Sequence, residues 1–212
     1  DRFGGHSVPR CLTTRGRSGR DLLKPLMARL AGLEVPVRTG CRLTRLVRGP
    51  GGRVAGVEVQ AGGRLPDAAG RSVLRVRARR GVVLATGGYA ADVPFRRLQA
   101  PRLGEALATT NQRGATAEGL MAALAIGAAP LHLSWIQLGP WGCADEAGYG
   151  RGARFAAYAV YPRGIVVDPA TGRRIVNEWA DRRVRAEALL AAGHPCLGVV
   201  DARGAGADPE SL

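Results

Sequence analysis

Lysine is almost missing from this chain. Of its 31 Lys and Arg residues only Lys24 is a lysine, and the arginines are spread from Arg2 to Arg203. Charge shaped for nucleic acid mixes both cations and clusters them. With 5% aromatic residues, few platforms exist on which single-stranded bases could stack. The net charge of +14 is therefore read as a solvated arginine-rich surface, with no nucleic-acid partner expected. The four cysteines form no CxxC pair, and the three histidines do not combine with them at metal-ligand spacing, so neither a disulfide framework nor a metal site is expected. The longest apolar stretches, near 120–129 and 155–161, fall short of the roughly 20 residues that cross a bilayer. No P-loop is present, and no dinucleotide glycine fingerprint follows a strand near the start. Gly148-Tyr-Gly-Arg-Gly-Ala153 has a similar spacing but no buried strand before it, and is read as a loop.

What is there begins at residues 81–88, Gly-Val-Val-Leu-Ala-Thr-Gly-Gly. An apolar run of this length suits a strand inside a sheet. It stops at a small residue, a hydroxyl and two glycines, which lets a ligand approach the backbone at the strand's carboxyl end. The surrounding pattern is α/β. Leu22, Leu23, Leu26, Met27 and Leu30 predict a helix over 19–32, with Pro25 suggesting a start nearer Lys24. Val35–Arg38 and Leu43–Arg48 are short strand candidates, and a Gly-Pro-Gly-Gly turn at 49–52 leads to Val54–Val59 as hairpin partner. Arg75-Val-Arg-Ala-Arg-Arg80 falls in a further strand with one wet face. A helix is expected over 115–128, a strand pair over 155–161 and 164–168, a helix over 178–192 and a strand over 196–201.

Two polar segments carry candidate chemistry. Thr110–Gly119 feeds an apolar helix whose first N–H groups suit a phosphate or ribose; ordinary capping by Thr116, with Glu118 in the first turn, explains it equally. Asn177-Glu-Trp-Ala-Asp-Arg-Arg183 opens the last helix. Asn177 can cap it and Glu178 can pair with Arg182 on its surface; alternatively Arg182 projects into a cleft and grips a carboxylate with its planar guanidinium.

Six segments in order carry a resemblance. They are Phe3–Arg10, Val54–Val59, Val83-Leu-Ala-Thr-Gly-Gly-Tyr89, Thr110–Gly119, Trp135-Ile-Gln-Leu-Gly-Pro140, and Gly164–Asp168 leading into Asn177–Arg182. Together they resemble the flavoprotein subunits of the fumarate reductase and succinate dehydrogenase superfamily, nearest to flavocytochrome c fumarate reductases and urocanate-reductase-like enzymes. The resemblance implies a partial FAD/NAD(P)-binding Rossmann-like α/β domain over 1–136 and the start of an inserted α+β capping domain over 137–212. It implies that the chain is an internal fragment, with the glycine fingerprint upstream of Asp1.

It implies FAD as cofactor, lined by the backbone at Ala85, Thr86 and Gly87 and around Arg42, with Glu118 where relatives carry Asp. It also implies hydride transfer from flavin N5 to an unsaturated carboxylate, with Arg182 as proton donor. Two departures open the substrate: Gly139 stands where a substrate-binding His is expected and leaves space for a larger or less charged acid. The acid–arginine relay falls near Ala157 and Val160, where Tyr158 or Tyr161 is the candidate substitute. Gly139 and Tyr158 are thus the candidate substrate residues. The rivals are a 3-oxosteroid-dehydrogenase-like flavoenzyme using tyrosines, a chain silent by itself, and a basic nucleic-acid-binding module.

Overall fold

Alternating patterning over 41–77 produces the first sheet. A computed structural model describes residues 5–16, 18–62, 72–142 and 155–206. In it, β1 (Cys41–Arg48) pairs antiparallel with β2 (Val54–Ala61), and β2 with β3 (Ser72–Arg77). Leu43 faces Val59, and Leu46 faces Val57, which faces Val76. The β1–β2 connection turns through Gly51 and Gly52 at φ 75° and 78°, angles that a side chain disfavours. Glu58 accepts from Arg45 at 3.3 Å and Arg75 at 3.0 Å. The Arg75 hydrogen bond, with Arg45 adding, holds the Glu58 carboxyl below its usual range. A solvated arginine face with an acid between two cations is what that patterning encodes.

The chain forms two compact units, Lys24–Ala106 with Arg113–Ser134, and Asp1–Leu23 with Leu107–Gln112 and Trp135–Leu212. The first holds the β1–β2–β3 sheet, α2 (Val93–Gln99) and α3 (Glu118–Leu124), numbered after α1 (Arg20–Gly32). Its buried residues include Leu46, Leu103, Ala117 and Ala122. Arg96 is buried there too. Its guanidinium donates to the carbonyls of Ala90, Leu103 and Gly104 at 2.7–3.0 Å, so a cation organises the turn after α2.

The second unit holds β4 (Ile165–Asp168) between β5 (Arg173–Arg174) and β6 (Leu197–Val199), both antiparallel to it. Val160, Tyr161 and Val166 form its core, against which Trp141, Ile175, Val176, Leu189 and Val200 pack. α4 (Tyr161–Arg163), α5 (Arg182–Ala192) and α6 (Ala202–Ala205) complete it.

Several expectations are corrected. Residues 155–161 are not a strand: Ala156–Val160 is a π-helical turn running into α4. Alanine-rich sequence favours helix. Pro162 has no N–H for the Tyr158 carbonyl, which takes Arg163 Nη1 at 3.1 Å instead, while Tyr161 N reaches back to Ala156 O. Val35–Arg38 forms no ladder; Pro36 cannot donate to one.

Val82–Leu84 joins no ladder, and Val83 is 91% exposed. Among the described residues no parallel ladder forms; both sheets are small and antiparallel. α1 starts at Arg20 and carries Pro25 inside, and no residue in it is buried. Gly148–Ala153 lies outside the described residues.

Candidate functional site

Two clusters collect the candidate residues, one in each unit. In the first, the carboxylate of Glu118 opens α3 and accepts from Arg42 of β1 at Nε (2.9 Å) and Nη2 (2.5 Å). The pair is bidentate and about 40% exposed on each side. The Glu118 hydrogen bond raises the Arg42 guanidinium above its ordinary range, against the smaller effect of burial. Next along α3, Gly119 packs against Thr86: a Cβ there would lie 2.4 Å from Thr86 Oγ1 and 2.9 Å from Thr86 Cβ. Arg42, Thr86 and Glu118 are thereby brought to one place.

The expected cap is different. α3 begins after Ala117, whose side chain makes no capping bond, and Thr116 does not cap it. Instead Asp92 Oδ2 accepts from Ala117 N at 3.2 Å while its Oδ1 caps α2 at Phe95 N, 3.1 Å. Ala85, Thr86, Gly87 and Gly88 are exposed. Gly87 sits at φ 75°, and no atom lies within 4 Å of a Cβ built on either glycine.

In the second unit Arg182 is the first residue of α5 and exposed. Its guanidinium lies 4.7 Å above the Trp141 ring and donates from Nη1 to Gln137 Oε1 at 3.4 Å. The cap of α5 is Asp181, which accepts from Val184 N at 3.0 Å, not Asn177. Asn177 Oδ1 accepts from Trp179 N in a tight turn instead. Nor does Glu178 pair with Arg182. It is 2% exposed, accepts from Val166 N at 2.7 Å and pairs with Arg174. Burial alone would raise its carboxyl; the Arg174 and Val166 donors outweigh burial and hold it lower than usual. Glu178 therefore ties β4 and β5 to the turn that presents Arg182.

Gly139 leaves no free space: a Cβ there would meet Trp141 Nε1 at 3.1 Å. Tyr158 is half-buried in the π-helical turn. Tyr161 is buried with its hydroxyl donating to the Pro140 carbonyl, and burial pushes its phenol up to about 12. A shallow cleft of about 370 Å³ is lined by Gly5, His6, Ser7 and Trp179, where Gly5 N donates to Trp179 O at 3.0 Å.

The family model described as FAD binding domain matches residues 1–203. The chain belongs to this FAD-binding family, that of the fumarate reductase and succinate dehydrogenase flavoproteins. It is 37% identical over 188 residues to the acrylate reductase flavoprotein subunit of Shewanella woodyi, covering 89% of this chain and 37% of that protein. It is 32% identical over 195 residues to a fumarate reductase of Schizosaccharomyces pombe, covering 85% of this chain and 36% of the other. The open conformation of a flavocytochrome c3 fumarate reductase superposes with a TM-score of 0.67 at 24% identity, over 92% of this chain and 32% of that one, a likeness of fold. The chain thus spans a little over a third of the length of these two curated relatives.

FAD is the cofactor of the family, and the first unit suits it. A backbone edge free of Cβ atoms at Gly87 and Gly88 beside a fixed guanidinium–carboxylate pair offers the close approach and the polar partners that a nucleotide requires. Two residues near these clusters escaped the sequence reading as site residues. Gln137 lies inside the Trp135–Pro140 segment, whose place in the resemblance was the available signal. Trp141 had none, because its partners stand 20 and 41 positions further along the chain, at Tyr161 and Arg182.

Proposed function

We propose that this chain is part of an FAD-dependent oxidoreductase that reduces the carbon–carbon double bond of a small unsaturated carboxylate. In this reading residues 1–136 belong to the FAD domain and 137–212 to the start of a cap; the passage into the second compact unit at Trp135 supports it, and Asp1–Leu23 and Leu107–Gln112 group with that unit. When bound and reduced, FAD supplies the hydride that adds to the β-carbon. The chain's own contribution is the proton for the adjacent carbon, from Arg182. A free arginine is a poor acid, so the reading needs a fixed guanidinium facing a developing carbanion.

The observation that carries it is the mounting of Arg182: a capped helix start, the Trp141 face at 4.7 Å and Gln137 Oε1 at 3.4 Å hold it while it stays exposed. Exposure lets water replace the proton it gives up. Gly139 and Tyr158 are proposed as substrate-side residues, with the indole of Trp141, Nε1 foremost, filling the side of Gly139. The bulk of that ring favours a small acid with one carboxylate over a larger one with two. Acrylate and fumarate, the acids in the relatives' names, are the natural test pair.

The test uses the full-length flavoprotein with a reduced viologen dye as electron source. Turnover is expected with acrylate above fumarate, and Arg182→Ala is expected to lower it about 10²–10⁴-fold, the range of one general acid, with bound FAD unchanged by absorbance. Retained turnover in Arg182→Ala would refute the role.

A further inference from the structure

α5 begins against a physical preference. The amino end of a helix is positively polarised and favours acids; Asp181 caps it, yet Arg182, Arg183 and Arg185 occupy its first turns. Arg183 is exposed, but Arg185 is 4% exposed. Among the described residues its Nε is buried with no hydrogen-bond partner. It lies instead 4.5 Å from the Tyr161 ring and 5.9 Å from the Trp141 ring, the same indole that carries Arg182 at 4.7 Å.

Two aromatic faces offset part of the cost of burying a cation. They do not remove it, and a methionine or leucine would pack at this place without the penalty. Burial pushes the Arg185 guanidinium below the ordinary arginine range, with Tyr161 opposing and the Arg182 charge adding to the fall. The facing charged groups are Arg182 and the cap Asp181, which act in opposite senses. The position keeps a charge that folding disfavours.

We propose that Arg185 is a positioning residue for Arg182: it occupies the inner side of the shared Trp141 ring, so that Arg182 is kept at the outer side, against Gln137. The inference rests on the reading of Arg182 given above. An arginine side chain otherwise distributes itself over many rotamers. A like charge on the buried side of the indole disfavours those that carry the Arg182 guanidinium further across the ring toward Tyr161. What remains is the exposed position over Trp141 beside Gln137, where a carboxylate substrate would meet it. The mechanism is charge, so it survives replacement by another cation and fails with an apolar isostere.

Arg185→Met, Arg185→Lys and Arg182→Ala in the full-length flavoprotein separate the alternatives. Arg185→Met is expected to lower kcat about tenfold or more, as displaced catalytic groups do, with KM for acrylate within threefold and with Tm unchanged or raised. Arg185→Lys is expected to restore kcat to within about threefold of the parent. The opposite signs in stability and turnover are what a merely structural arginine would not produce. If Arg182→Ala is inactive and Arg185→Met keeps kcat within twofold, or loses Tm in step with kcat, this inference falls and the reading of Arg182 stands. If Arg182→Ala keeps turnover, both fall.

Discussion

Tyr161 and Glu178 are buried in the same unit and solve burial differently. The phenol stays neutral: its hydroxyl is bound to the Pro140 carbonyl and burial raises it to about 12. An unfolded tyrosine titrates near 10. The folded value is the higher, so the contribution to stability is complete below about pH 10 and is lost as pH rises from 10 through 12. Tyrosinate absorbance should therefore show a late component near pH 12 that Tyr161→Phe removes; a full titration by pH 10.5 would contradict the buried hydrogen bond.

Glu178 stays charged because Arg174 and Val166 N supply donors. Glu178→Ala leaves that N–H unsatisfied and is expected to cost about 2–3 kcal/mol in denaturant unfolding. A loss under about 0.5 kcal/mol would mean that water replaces the carboxylate. None of this burial was readable from residue type, since glutamate and arginine are ordinarily exposed. Arg96, bound to three carbonyls, defeated the solvated-arginine reading in the same way.

Elements follow local pattern where local pattern suffices. The β1–β2 hairpin forms where alternation and a glycine turn predicted it, and α5 lies within the expected 178–192. Its start moved because Asn177 and Asp181 are both good caps, and the turn at Trp179 had already used Asn177. Asp181→Ala should cost about 1 kcal/mol by thermal or chemical unfolding.

α3 packs closely against Thr86 at position 119, where the residue is glycine. Gly119→Ala places a methyl group under 3.0 Å from Thr86 and must displace the helix or the segment that carries Thr86. Its expected effect is FAD binding weakened about tenfold, read by quenching of flavin fluorescence on titration. Unchanged affinity would separate this edge from the cofactor.

Across the whole chain, apolar side chains remain exposed in quantity. Leu22, Leu23 and Leu26 of α1 are 62%, 57% and 61% exposed, and Val83 is 91%. Contiguous apolar surface seeks cover. The 212-residue chain by itself is therefore expected to bind an anilinonaphthalene dye and to self-associate with concentration in light scattering. Leu22→Lys with Leu26→Glu should reduce both, and a monodisperse, dye-silent parent would contradict this. The same exposure explains why the central-strand reading of Val82–Leu84 produced no strand. A strand exists by its ladder, and the described residues supply none beside it.

By itself the amino-acid sequence determined the antiparallel hairpin, the extents of α1 and α5 to within a few residues, the glycine-ended segment at 85–88 and the FAD-binding family. Each of these rests on short-range periodicity, turn chemistry or ordered motifs, which need no knowledge of distant partners. Only the tertiary structure decided that Glu118 holds Arg42, 76 residues away, that Trp141 fills the side of Gly139, and that Arg182 and Arg185 share one indole. Such contacts are properties of packing. The burial that gives them their energy appears only when segments far apart in the chain come to lie side by side.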